Sequence, residues 1–432
     1  MRNALAVGLL TLVVWMCVLD GPYRFDDHLV PLSDPASQSL AALGDHLTLT
    51  LRPLTKLTYA LEASVGLADS APARRAVSAA IHAVGAVLLA LLLAHIADDE
   101  RWGLLALVWA LHPVHAEALL AVSGRSAALS AALVIAALLA QLRARPLLAA
   151  SLLLAAALAR ETAIAAALPV ALAAATSDRA GVGSRRGCPW PPLLATLAAA
   201  LWVVSVPRYR ELAEFSFLGR PWADSVVAQV AAIPQGLALY LHPDLLSADH
   251  GTALPVTIAS PGFWLGVGCL AAASAGTVLA VRRGAVAVTI GLAVWLAAIV
   301  PTQTLVPKLD PLTERPLGLA LAGIVIAAVC PLVAASRAIR AQTLLAAGSA
   351  LVFMLATATV ARGRLYASDV ALWADAARKS VTNPRPHVNL GVALVTAGQP
   401  DAARDAFRAA LRIDPLDIQA ERALAYASRE DR

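Results

Sequence analysis

The sequence predicts an all-α membrane protein: a polytopic helix bundle of about eleven spans followed by a short soluble helical repeat. Three observations predict it. Apolar runs recur along most of the 432 residues, with 59% hydrophobic and 15% charged residues and a mean hydropathy of +0.70. Soluble domains average about 45–50% apolar and about 25% charged, so a water-soluble fold is excluded on composition. Arginine falls at every second turn between apolar runs, and the last seventy residues repeat with a 34-residue period.

The spans are placed at about 3–19, 76–96, 102–116, 126–142, 146–159, 162–176, 193–206, 263–281, 285–300, 317–335 and 344–360. Arg2 and the run Asn3 to Leu19 suit a signal peptide or a retained first span. The following Leu-Asp-Gly-Pro lacks a small-x-small cleavage pattern and favours the span. With a cytoplasmic N-terminus, the inner turns carry Arg101, Arg143 with Arg145, Arg179 with Arg185 and Arg186, Arg282 with Arg283, and Arg337 with Arg340. That pattern requires the run 146–176 to break at Arg160-Glu161 into two short helices. The stretch Val226 to Leu241, interrupted by Gln229, Pro234 and Gln235, reads as re-entrant or interfacial. The outer side then holds residues 20–75, the His112 region, 207–262, 301–316 and the C-terminal tail.

The tail, 363–432, follows the membrane domain, 1–362. Leu390, Gly391, Leu394, Ala403, Phe407, Ala410 and Pro415 stand at tetratricopeptide spacing. One period back, Trp373 and Ala376 take the Phe407 and Ala410 positions; one period forward, Leu424 and Ala425 take those of Leu390 and Gly391. One full repeat flanked by two helices is therefore expected. Stability normally takes about three repeats, so this array should lean on the membrane domain or on a protein partner. Cys17, Cys188, Cys269 and Cys330 show no zinc spacing and no disulfide framework. The arginines form no long basic face, which speaks against nucleic acid.

Charged groups that composition makes costly cluster in the outer segments. Phe25-Asp26-Asp27-His28 places adjacent carboxylates beside the first span, as a general base with a partner or as a helix-start cap. Arg52 and Lys56, in Arg52-Pro53-Leu54-Thr55-Lys56-Leu57-Thr58-Tyr59, offer a phosphate clamp or an interfacial anchor. His112-Pro113-Val114-His115-Ala116-Glu117 offers His112, His115 and Glu117 as substrate contacts or interfacial polarity. Pro113 prevents a regular helical metal pair. Arg125 follows in Ser123-Gly124-Arg125. Arg160 and Glu161 lie inside an apolar run, where an ion pair is functional by default or a structural pair. Asp249 lies in Ser247-Ala248-Asp249-His250, an ordinary turn by composition. Lys308, Asp310 and the pair Glu314-Arg315 mark the last outer loop.

This ordered set resembles the transmembrane, tetratricopeptide-repeat-containing protein O-mannosyltransferases and their bacterial relatives, of the GT-C glycosyltransferase fold. The residues carrying the resemblance are Phe25-Asp26-Asp27-His28, Arg52-Pro53-Leu54-Thr55, His112 to Glu117 with Gly124-Arg125, Arg160-Glu161, Thr313-Glu314-Arg315-Pro316 and the terminal repeat. It covers nearly the whole chain. It implies transfer of a sugar, typically mannose, from a polyprenyl-phosphate carrier to a hydroxyl on a protein or glycan acceptor, on the extracytoplasmic face of a bacterial plasma membrane. Asp26 and Asp27 carry over as the catalytic base and its partner. Arg160, with Arg125 and Arg315 behind it, carries over as the phosphate-side cation. The remaining groups, Arg52, Lys56, His112, His115, Glu117, Glu161, Asp249 and Glu314, are expected at the substrate. No protein metal site is assigned and a divalent cation is left open. Relatives often carry Lys-Glu where this chain has Arg160-Glu161, and an aromatic where it has Gly318. The competing readings are a non-catalytic membrane-anchored repeat scaffold and a transporter or flippase.

Overall fold

The computed structural model describes residues 1–179, 188–219, 221–251, 256–308 and 310–428. Every regular element among them is helical. Six helices are long and apolar enough to cross a membrane: Ala71–Ala97, Val122–Leu142, Pro261–Arg283, Val286–Leu305, Arg315–Ser336 and Ala341–Leu365. Two bent pairs, Glu100–Ala110 with Pro113–Leu120 (55°) and Trp190–Ser205 with Pro207–Leu218 (73°), raise the number to eight if each is one span.

Among the described residues, six to eight helices of membrane length thus stand against the expected eleven spans. Arg2–Met16, Pro146–Ala159 and Glu161–Thr176 are apolar but only 10–17 residues long. At 1.5 Å per residue they fall short of the roughly 30 Å hydrocarbon core. A hydropathy run does not distinguish such a helix from a full crossing.

Local chemistry sets the boundaries. Ser70 accepts a hydrogen bond from the Ala73 amide at the start of Ala71–Ala97, and Asp99 accepts one from Arg101 at the next turn. The break at Arg160 is present. That residue is extended (φ −157°, ψ 120°) between Pro146–Ala159 and the 3-10 turn Glu161–Ala166. The first piece packs on Val122–Leu142. The turn reaches the Pro301–Leu305 end of Val286–Leu305, and Ala167–Arg179 then runs along that same helix. Arg185 and Arg186 lie outside the described residues. Val226 to Leu241 falls in two short helices, Trp222–Ala231 and Ile233–Leu241, neither of membrane length.

One apolar core threads the bundle from Val7 through Leu89, Trp109 and Ile135 to Ile290 and Ile326. Val286–Leu305 and Arg315–Ser336 cross at Gly291 and Gly323. A Cβ on Gly291 would stand 2.4 Å from the Gly323 carbonyl oxygen, so only glycine permits this approach. The N-terminal ammonium meets Glu100 at 2.8 Å, placing the N-terminus at the end of the bundle that carries Arg101.

At the opposite end the loops gather and the repeat docks on them. Its helices are Asp369–Lys379, Arg385–Thr396, Pro400–Ile413 and Ile418–Ala427. The expected repeat flanked by two helices is therefore present. Gly391 is small because a Cβ there would meet the Phe407 ring at 2.3 Å. As expected of a short array, the module leans on the membrane domain. Arg24 binds Asp369 and, at 2.5 Å, the Tyr366 carbonyl; Lys379 donates to the Leu246 carbonyl at 2.7 Å; Arg385 pairs with Asp249 and Asp310. The first loop and the repeat thus share one end of the bundle.

Candidate active site at the loop end

The first loop enters a 3-10 turn, Phe25–Asp27, with Phe25 at φ +50°, a strained value for an aromatic residue. The two acids of that turn have different fates. Asp27 is fully buried. One carboxylate oxygen accepts from the Arg24 amide at 3.1 Å and the other from the Ser123 amide at 2.7 Å, tying the loop to the first turn of Val122–Leu142. Asp26 points outward with its side chain 56% exposed, 3.6 Å from a guanidinium nitrogen of Arg315. Arg315 holds Glu117 at 2.8 Å, and Glu117 also accepts from the Glu314 amide at 3.2 Å.

The second cluster centres on the break at Arg160. Arg52, strained at φ +54°, caps helix Pro53–Ser64 and grips Glu161 with two parallel bonds of 2.9 and 2.7 Å. Glu161 raises the pKa of Arg52, holding it charged. The expected Arg160-Glu161 pair is therefore corrected: Glu161 belongs to Arg52. Arg160 alone is extended here, with Glu161 opening the 3-10 turn, and Arg160 bonds elsewhere. Its recorded partner is the Ser126 hydroxyl at 3.4 Å. Arg160 and Arg315 line one small pocket, together with Ser130, Thr162 and Thr302.

Lys308 joins this group, although the sequence reading marked only its segment and assigned it no substrate contact. Its backbone amide donates to Ser225 Oγ (3.2 Å) and Gln229 Oε1 (3.0 Å), which fixes the loop. Burial first, and Arg160 second, push its ammonium down to about 7. Its visible signal was position: a rare lysine in an arginine-dominated chain, near the Glu314-Arg315 pair. Because Lys308 loses its charge as pH rises through about 7, this group should hold an anion more weakly at pH 8 than at pH 6. The Lys308→Met protein should lose that pH step, as read by titration of polyprenyl phosphate at each pH.

Other expected substrate contacts are committed to the fold. Lys56 is buried against Asp34 and Thr50 Oγ1. Arg125 is fully buried, bound to Glu62 (2.6 Å), Thr58, Ser78 and the Arg74 carbonyl, and stacked 4.6 Å over Tyr59. Arg125→Met leaves Glu62 only the looser Arg74 contact at 3.6 Å and should therefore destabilise by about 3 kcal/mol, measured by thermal unfolding in nanodiscs. His112 accepts from the Val114 amide with Nδ1, and its Nε2 faces the Tyr240 carbonyl at 3.1 Å. His115 packs 4.4 Å from His82 and 4.8 Å from Trp109, inside the core. Glu314 accepts from the Ser247 amide (2.8 Å) and meets His250 (3.0 Å). Asp249 serves the repeat through Arg385 and Asn383. Among the described residues no three His, Cys, Asp or Glu side chains gather as a metal-binding group.

The fold thus brings together Asp26, Arg52, Glu117, Arg160, Glu161, Arg315 and Lys308, and sets Asp27 beneath them. Residues 384–427 match the tetratricopeptide repeat family. The chain therefore contains a tetratricopeptide repeat. No curated protein and no solved structure matches the chain. The match establishes a repeat module, and six to eight helices are long and apolar enough to cross a membrane.

Proposed function

We propose that this protein is an integral membrane glycosyltransferase. It moves a sugar, mannose by the resemblance, from a polyprenyl-phosphate carrier to a hydroxyl acceptor, protein serine or threonine foremost, at the extracytoplasmic face. The observation that carries this reading is the cavity lined by both Arg160 and Arg315, with the exposed Asp26 carboxylate at its Arg315 edge. The carrier's tail would lie among the spans, and its phosphate at the arginines.

The acceptor oxygen attacks the anomeric carbon as the bond from that carbon to the phosphate oxygen breaks. The electron pair stays on the departing phosphate, where Arg160, Arg315 and Lys308 offset the growing charge. The acceptor proton passes to Asp26, and a single displacement inverts the anomeric centre. Asp27 holds the turn that presents Asp26. Glu117 holds Arg315, and Arg52 keeps Glu161 from neutralising Arg160.

The reading is tested with membranes bearing the wild-type protein, labelled polyprenyl-phosphate-mannose and a hydroxyl-rich peptide acceptor. Label in the peptide, lost with Asp26→Asn, is the expected result. Equal incorporation by wild type, Asp26→Asn and empty membranes would overturn it.

A further inference from the structure

Two separate series of contacts lead from the repeat's docking helix, Asp369–Lys379, into the candidate site. The first runs through Arg24, which binds Asp369 and the Tyr366 carbonyl and whose amide caps Asp27. Beside it, Trp373 meets the ring of Phe25 edge-on at 5.5 Å, directly before Asp26. The second starts at Asp375, a buried carboxylate that gathers Arg362 (3.2 Å), Arg378 (3.2 Å) and Lys379 (2.8 Å). Arg362, in the last turn of Ala341–Leu365, also faces Glu314 at 3.7 Å. The Glu314 amide is bonded to Glu117, which holds Arg315.

We infer that helix Asp369–Lys379 is a positioning element of the site, with Trp373 setting Asp26 and Asp375 setting Arg315 through Arg362 and Glu314. The physical warrant is that both endpoints are otherwise weakly held. Asp26 is more than half exposed on a turn with a strained residue, and Arg315 hangs on Glu117. Asp375, by contrast, is buried among cations, so its charge is costly to remove and its position well defined. A partner that shifted this helix would be felt at both ends of the site. The kinetic part of this inference rests on the transferase reading; the structural part does not.

The test uses the full-length protein in nanodiscs, with two readouts that need not agree: hydrogen exchange of segments 24–29 and 310–317, and transfer kinetics. Asp375→Asn should speed exchange in 310–317 about tenfold and raise the donor KM several-fold, with Asp375→Glu restoring both. Trp373→Leu, a milder change on a partly exposed side chain, should speed exchange only in 24–29. It should lower kcat several-fold with donor KM unchanged. A general loss of folded protein would not divide the two segments or separate KM from kcat. Unaltered exchange in both segments, or the same kinetic change from both variants, overturns the inference. Exchange that divides as described in a wild-type protein that transfers no sugar upholds the positioning role and refutes the transferase reading.

Discussion

Asp26→Asn is expected to lower the rate of sugar transfer by about 10²–10⁴-fold, the usual contribution of a general base, while leaving thermal unfolding unchanged. The asymmetry between the two acids makes this sharp. Asp26 is 56% exposed and 3.6 Å from Arg315, so the substitution strands nothing inside the protein. Asp27→Asn does the opposite. Both Asp27 oxygens accept backbone N–H bonds, from Arg24 and Ser123, and an amide offers one oxygen and one NH₂ group. One backbone donor would then face another donor in a buried site, at a cost of about 1–3 kcal/mol. Thermal unfolding beside peptide mannosylation separates the two: loss of activity at full stability for Asp26→Asn, loss of stability for Asp27→Asn. Equal activity of wild type and Asp26→Asn removes the base from the scheme.

Which parts of this molecule could be read in the sequence follows from the range of the forces involved. The spans beginning near 76, 126, 263, 285, 317 and 344 were visible because apolar runs between arginine turns report the solvent each residue prefers. The repeat was visible because Gly391 and Phe407 must meet at a fixed offset. The break at Arg160 was visible because charge in an apolar run demands an exit. Side-chain partnerships were not. Glu161 passes over its neighbour for Arg52, 109 residues away, and Asp249 finds Arg385, 136 residues away. Such pairs depend on which loops meet, and composition carries no record of that. The same limit explains why Lys56, His112, His115 and Arg125 looked available: each has chemistry suited to a substrate, and each is taken by a neighbour that only tertiary packing supplies.

Arg160 and Arg52 should differ in stability, though not in loss of activity, under the same substitution. Arg160 has one recorded hydrogen bond, to Ser126 at 3.4 Å, so Arg160→Leu removes little that supports the fold. It does remove a fixed cation from the cavity wall where leaving-group charge develops. One such group contributes about 2.7–4 kcal/mol of barrier lowering, so transfer should fall 10²–10³-fold with stability near wild type. Arg52→Leu instead leaves Glu161 without its two-bond partner. Both side chains remain about a quarter exposed, at 29% and 24%, so the cost should sit near 3 kcal/mol, the low end for a broken buried pair. Activity should fall as well, because an unpaired Glu161 beside Arg160 would draw that guanidinium from the phosphate. The double variant Arg52→Leu/Glu161→Leu removes the stranded charge and should recover most of the stability and of the affinity for polyprenyl phosphate. If the double variant folds well yet binds no lipid phosphate, Arg52 itself contacts the donor, and Arg160 is not the principal cation of the site.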